Sequence, residues 1–204
     1  IVGRFDELAA TQVTVSARTS GSGSSSRAAA ALPWDVETRL DRLNGVVASG
    51  AVAESSDPGA LRTVPLIDPE NVTERLVPVF AGSVGYLDAV RGTIAVGRWF
   101  DQGHVDRHDR VVVIGADVAA EFGIDRLDRQ PGIFIGDQVF TVIGILDAAP
   151  RDTGLVQSVI VPYTAAQDRL GVSRPERVVV ETDIGAARLI AEQAPVALNP
   201  NGAE

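Results

Sequence analysis

The residues best placed to do chemistry lie in the run DQGHVDRHD, from Asp101 to Asp109. His104 and His108 stand four positions apart, a spacing that would set two imidazoles on one helical face beside the neighbouring aspartates. Neutral imidazole with carboxylate oxygens suits zinc or another transition ion, so Asp101, His104 and His108 are the candidate metal ligands. Two features weigh against them. Gly103 weakens a helix there, and no Glu follows His104 as it does in a His-Glu-x-x-His metalloprotease. The run therefore reads first as a solvated polar connector, and no catalytic residue is assigned. A metal-dependent hydrolase would need His104 and His108 to share one bound ion.

Other chemistry has less support. There is no Gly-x-Ser-x-Gly elbow, no Gly-x-Gly-x-x-Gly and no Walker motif, so neither a serine hydrolase nor a nucleotide site is indicated, and no cofactor is expected. Cysteine is absent, which removes thiol catalysis, cysteine-based zinc sites and disulfides together. Glu37 and Asp41 are spaced one helical turn apart, and such a pair on a solvated face solubilises rather than catalyses. Trp34, near a helix start, and Trp99, beside Phe100, are expected to pack at a seam between helix and sheet or between lobes.

The elements that must position these residues follow from patterning. Residues 12–17 alternate β-branched side chains and read as a strand, and the Ser/Gly-rich residues 18–27 read as a loop. A helix is predicted over 33–44, with Val36, Leu40 and Leu43 on one face, Pro33 in its first turn and Gly45 at its C-terminal left-handed position. Asp35 and Arg39 would pair across one turn. Residues 46–53 form the next strand and complete a β-α-β unit, whose crossover makes the flanking strands parallel when adjacent. Further strands are predicted at 61–66 and 76–82, on either side of the turn-rich 67–71, with one or two helical turns over 86–90.

Beyond Gly97 the texture becomes strand-rich. Residues 111–114 read as a buried strand and 117–122 as a helix closed by Gly123. Residues 133–145 read as a hairpin around Gly136-Asp137 with a bulge at Gly144. A strand at 159–161 leads into a helix that runs through Leu170 and stops at Gly171. Residues 177–181 form a strand centred on Val178, Val179 and Val180. A helix over 184–193 would place Ile184, Ala187 and Ile190 on one face, and 196–198 would start another strand. The ends share β-α-β character while the middle is strand-rich, so the expected class is α+β, with one lobe interrupted by an insertion.

Composition bounds the function. The chain has 204 residues, 45% hydrophobic, enough to bury a sizeable core. All 18 basic residues are arginine, and the net charge of −9 argues against a nucleic-acid partner or a polybasic membrane contact. With no methionine, the sequence reads as an internal piece or a processed product. No apolar run approaches the ~20 residues of a membrane span, and no leader pattern is present, so a membrane anchor is expected outside this segment.

Five blocks in one order carry a family resemblance. They are GVVA from Gly45, PVFAGSVGYL from Pro78, GRWF from Gly97 leading into VVVIG at Val111 and AAEFG at Ala119, then IFIGDQVFTVIGIL from Ile133, and SVIVPYTA from Ser158. This order resembles the periplasmic core domain of MacB-like and FtsX-like ABC transporter permeases. The resemblance implies a β-α-β porter-type lobe, residues 1–95 with 175–204, interrupted by a smaller mixed, sabre-type lobe, residues 96–174. It also implies an extracytoplasmic domain of a cell-membrane protein that couples ATP-driven movement of membrane helices to export or to an outer partner. The domain would not itself be an enzyme, since ATPase activity would lie in a separate subunit or domain. Implied partners are that ATPase subunit, a second permease copy, and an extracytoplasmic partner or cargo. The working surface would be the lobe seam and the loops at 18–27 and 61–75. The alternative is a stand-alone extracytoplasmic ligand- or peptide-binding module.

Overall fold

The computed structural model describes residues 2–5, 11–16, 32–55, 59–62 and 75–199. The expected loop at 18–27 and turn at 67–71 lie outside them. The fold is α+β, as expected, and among the described residues 12 strands form one mixed sheet. A flat part carries β1 (Val2–Phe5), β2 (Gln12–Ser16) and β3 (Val46–Glu54), together with β12 (Arg177–Thr182). β12 lies between β2 and β3 and is antiparallel to both. The two strands of the predicted β-α-β unit are therefore parallel to each other but one strand apart.

Helices α1 (Val36–Leu40) and α6 (Ala187–Leu198) cover one face of this flat part. There Val36, Leu40, Ile190 and Ala194 pack with Val13, Val15, Val178 and Val180. α1 is shorter than predicted at both ends. Before it, the indole of Trp34 stacks on Tyr163, with ring centroids 4.8 Å apart, and donates to the Ser173 carbonyl at 3.3 Å, which holds residues 33–35 away from a helical path. After it, Leu43 N–H bonds the Leu40 carbonyl in a tight turn, and Gly45 takes φ +96° to enter β3. The predicted Asp35–Arg39 pair is present at 2.9 Å.

The C-terminal reading needs correction. Residues 184–186 precede α6 and Ile184 is 91% exposed, because Gly185 at φ +87° and the Ala186 N–H to Asp183 carbonyl bond close a turn first. The supposed strand at 196–198 is the last turn of α6, which continues through Pro195. Its buried residues Ala187, Ile190, Ala194 and Leu198 keep a helical period.

The rest of the sheet wraps into a barrel. Its strands are β4 (Gly59–Arg62), β5 (Arg75–Val77), β6 (Val79–Gly82), β8 (Val111–Gly115), β9 (Gly132–Ile135), β10 (Gln138–Ala148) and β11 (Val159–Pro162). The predicted strand at 76–82 is interrupted at Pro78, which lacks the N–H a ladder needs. Below the bend β6 pairs with β3 and β11; above it β5 pairs with β4, which in turn pairs with β9. The hydrogen-bonded path thus returns on itself through Pro78. Leu61, Val77, Val79, Ile114, Ile133, Phe140 and Val161 fill the interior. Two helices pack on this barrel, α4 (Ala116–Glu121) and α5 (Tyr163–Arg169).

The predicted hairpin is β9–β10, with Gly136 at φ +59°, and the register of β10 against β8 shifts between Val142 and Gly144, as read. A Cβ at Gly144 would lie 2.4 Å from the Arg98 carbonyl oxygen, so glycine is required where the chain passes. Four elements were not read from sequence. β1 pairs with β2, β7 (Thr93–Gly97) pairs along β10, α3 (Gln102–Asp106) occupies the supposed connector, and a 3-10 turn spans Thr153–Gln157.

Candidate functional site

The flat sheet and the barrel meet through polar side chains. In β12, Val178 and Val180 point toward α1 and α6, so Arg177, Val179 and Glu181 project from the opposite face. That face is covered by α2 (Tyr86–Ala89) and by the turn that follows β10, residues 149–152. Tyr86 is fully buried, and its hydroxyl donates to Asp152 Oδ2 at 2.6 Å. Arg177 donates to the same carboxylate oxygen and lies 3.4 Å from the Tyr86 hydroxyl. Burial pushes the Tyr86 phenol far above its ordinary value, while the Arg177 charge partly opposes the shift, so the phenol is a neutral donor.

A second cluster lies further along the same face. Glu181 accepts from Arg91 Nε at 2.7 Å and faces Arg151 at 3.7 Å. Arg151 donates to the Thr11 carbonyl at 3.1 Å and to the Thr11 hydroxyl at 2.7 Å. Burial lowers the Arg151 pKa, and Glu181 opposes the shift. One turn of four residues, 149–152, is thus tied by charge to α2, β12 and the start of β2. The other side of the molecule has its own joint. Trp34 packs against both the barrel core and the flat-sheet core. Nearby, the Glu37 carboxylate accepts from Ser83 Oγ at 2.5 Å and from Gly85 N at 2.9 Å. Asp41 accepts from Ser49 at 3.3 Å, so Glu37 and Asp41 anchor α1 rather than only solubilise it.

Of the three candidate metal ligands, Asp101 and His104 are brought together and His108 is not. Asp101 caps α3 in a capping box: it accepts from His104 N–H at 3.1 Å, and the His104 ring lies 2.7 Å from its carboxylate. The backbone N–H of His104, and then its ring, hold the Asp101 carboxyl below the usual range. His104 is only 4% exposed, with Nε2 at 3.1 Å from Arg98, so the solvated-connector reading is wrong for it. α3 ends at Asp106 and His108 takes φ +55°, which turns its ring to Asp168 on α5 at 2.8 Å. The two histidines therefore share no helical face. Among the described residues no three His, Asp or Glu side chains are grouped to hold an ion.

These contacts set what the arrangement can do. Each seam carboxylate is occupied by arginine or tyrosine donors, an arrangement that fixes register between two bodies. Comparison with known proteins places it. The family model described as MacB-like periplasmic core domain matches residues 2–194. The chain belongs to this family. It is a MacB-like periplasmic core domain of an ABC transporter permease. Among solved structures, the MacB-like fold is similar to the periplasmic region of MacB from Actinobacillus actinomycetemcomitans, with TM-score 0.65, 14% identity and coverage of 91% of this chain and 81% of that one. It is also similar to the extracellular domain of the noncanonic ABC-type transporter YknZ from Gram-positive bacteria, with TM-score 0.67, 21% identity and coverage of 93% and 94%. No curated protein matches the chain. Among the described residues no helix of this MacB-like domain is long and apolar enough to cross a membrane.

Sequence reading missed the seam residues Tyr86, Arg91, Arg151, Asp152, Arg177 and Glu181. The available signal was in β12. Arg177 and Glu181 flank Val179 at alternate positions, which places two opposite charges on the face of an otherwise buried strand.

Proposed function

We propose that this domain is a non-catalytic coupling element: movement of the permease's membrane helices enters through the flat sheet and crosses the polar seam to the barrel. The seam is the observation that carries this reading. β1 and α6, the described elements at the two ends of the chain, both pack on the flat part. Val2 pairs with Ser16, and Ser16 with Arg177. α6 has 12 residues, ~18 Å long, and packs on β1 and β2. Force applied at the Val2 and Ser16 end acts first on β12, whose Arg177 and Glu181 hold the 149–152 turn. The working partners in this reading are an ATPase subunit, a second permease copy and an extracytoplasmic partner or cargo. The moving bodies are residues 1–95 with 175–204, and 96–174. The β4–β5 pair hydrogen-bonds to β9 and β6 to β11, so these three strands would travel with the second body.

This segment has no cysteine, so in a transporter freed of cysteine elsewhere two introduced cysteines carry the only spin labels. Cysteines at Asp125 and Arg188, whose side chains are 87% and 88% exposed, report the distance between barrel and flat sheet in the complete transporter. The expected result is a distance distribution that differs between nucleotide-free and ATP-bound states, and a difference that shrinks in Asp152→Ala. Identical distributions in both states overturn the coupling reading.

A further inference from the structure

A cleft of about 520 Å³ opens on the barrel wall where β5 separates from β11. β11 runs parallel to β6, with Val159 opposite Val79 and Val159 N–H bonded to the Pro78 carbonyl. One residue earlier, at Val77, β11 has given way to the 3-10 turn Thr153–Gln157, whose Gly154 and Gln157 form the far side of the cleft. β5 pairs with β4 on one edge only. The cleft therefore occupies the place of a missing strand among the described residues. The Val77 side chain is 2% exposed and faces the barrel interior, so what Val77 offers the cleft is its backbone.

The side chains around this edge have a definite character. Outward positions of a barrel strand are ordinarily polar, but here they are Leu76, Pro78 and Phe80, and Leu76 is 70% exposed. The rim carries Glu54 on one side and Asp117 of α4 on the other, and no lining residue among the described ones is basic. We propose that this cleft binds an extended, cationic segment of a partner polypeptide, added as a strand along β5, with alternate basic residues on the outward face, where Glu54 stands opposite Phe80 and Asp117 lines the rim, and alternate apolar residues on the Val77 face. The backbone edge selects an extended chain, and the carboxylates select its charge. The inference stands on the chemistry of the cleft and is independent of the coupling motion proposed above.

The test titrates the isotope-labelled chain with an end-capped nonapeptide of alternating Arg and Val, followed by amide chemical shifts. Two control peptides are used, one with Glu in place of Arg and one with alternate backbone nitrogens methylated, which keeps the charge but cannot complete a ladder. The expected result is saturable shifts confined to residues 76–80, 117–121 and 153–157 for the Arg/Val peptide and none for either control. Glu54→Gln with Asp117→Asn should weaken binding about tenfold, and Leu76→Ser should weaken it without altering the remaining spectrum. Absence of saturable shifts, shifts spread over the acidic surface, equal binding of the methylated peptide, or an unchanged affinity in the double variant each overturn the proposal.

Discussion

Tyr86→Phe tests whether the seam contacts hold the two bodies together. The substitution removes one hydroxyl and keeps the ring, which is fully buried against Val52, Val113, Leu146 and Val179. What is lost is a donor at 2.6 Å to the Asp152 carboxylate. A hydrogen bond to a charged acceptor contributes ~1.5–3 kcal/mol net, so a loss of about 2 kcal/mol is expected. Asp152 keeps Arg177, which limits the damage. Asp152→Ala removes the acceptor of both and leaves the Tyr86 hydroxyl buried beside Arg177 alone, so about 3 kcal/mol is expected. Once Asp152 is gone the Tyr86 hydroxyl has little left to lose, and the double variant should resemble Asp152→Ala. The coupling energy in the cycle is then about 1.5–2 kcal/mol. Urea unfolding of the four proteins measures it. For a domain of this size Tyr86→Phe should also lower Tm by roughly 4–8 °C. A pH series gives an independent check. Above the ordinary phenol value of ~10, the unfolded chain releases the Tyr86 proton and the folded chain retains it. Stability therefore falls as pH rises there, and Tyr86→Phe should make that fall shallower. Burial raises the Tyr163 phenol too, so part of the alkaline fall remains. A cost for Tyr86→Phe below about 0.5 kcal/mol, or additivity across the cycle, refutes the argument.

Three further outcomes follow from other contacts. Gly50→Ala would place a Cβ 2.2 Å from Tyr86 Cα, so α2 must move; unfolding should show a loss above about 2 kcal/mol, whereas Gly154→Ala, with nothing nearer than 3.8 Å, should stay within about 0.5. Trp34→Ala should cost about 2 kcal/mol and Trp34→Phe under about 1, because phenylalanine keeps the stack on Tyr163 and loses only the bond to Ser173; equal costs in urea unfolding would contradict this. The Asp101 carboxyl is depressed in the fold, so its contribution is present above the ordinary aspartate value and lost as pH falls through the folded one. Asp101→Asn, which keeps an oxygen for the His104 N–H, should make the acid limb of Tm against pH shallower, and an unchanged limb would count against the cap.

Local pattern made much of this fold legible. Period-two alternation marked β2 and the β9–β10 hairpin, and the glycines at 45, 123 and 171 marked turns because each sits at positive φ. The metal candidates failed for an equally local reason that spacing does not show. α3 ends at Asp106, before His108, and a left-handed His108 breaks the helical face that i, i+4 spacing assumes. The insertion of β12 between β2 and β3 joins residues more than 100 positions apart, and no window of sequence contains that information. Pro78 looked like a residue within one strand because its cost falls only on the ladder; which ladder it interrupts is settled by β4, β9 and β11 together. At α6, the helical signal of Ala187, Ile190 and Ala194 was sound, but Gly185 moved its start three residues along.

Charge joins the two bodies beside the apolar cluster around Tyr86, and the two kinds of contact respond differently to shear. An apolar contact of fixed shape loses dispersion and opens a void as soon as it shears. A guanidinium can exchange one carboxylate oxygen for another, or for water, over a few ångströms. Arg177 is already 38% exposed, so it can be solvated as it leaves Asp152. Arg151 is different: at 11% exposure, with two bonds to Thr11, it is the contact least able to release. If the seam moves as proposed, the 149–152 turn should pivot about Arg151 while Asp152 swings. Asp152 immediately precedes the 3-10 turn that walls the β5 cleft. A pivot of this kind would change the width of the cleft together with the angle between flat sheet and barrel. Occupancy of the cleft and the state of the seam would then be linked, each shifting the other by the same factor. Arg151→Met, which keeps the buried stem and removes the pivot, should therefore uncouple the two: the cleft would bind the Arg/Val peptide with affinity independent of substitutions at Asp152. If the affinity in Arg151→Met still follows Asp152, the pivot lies elsewhere.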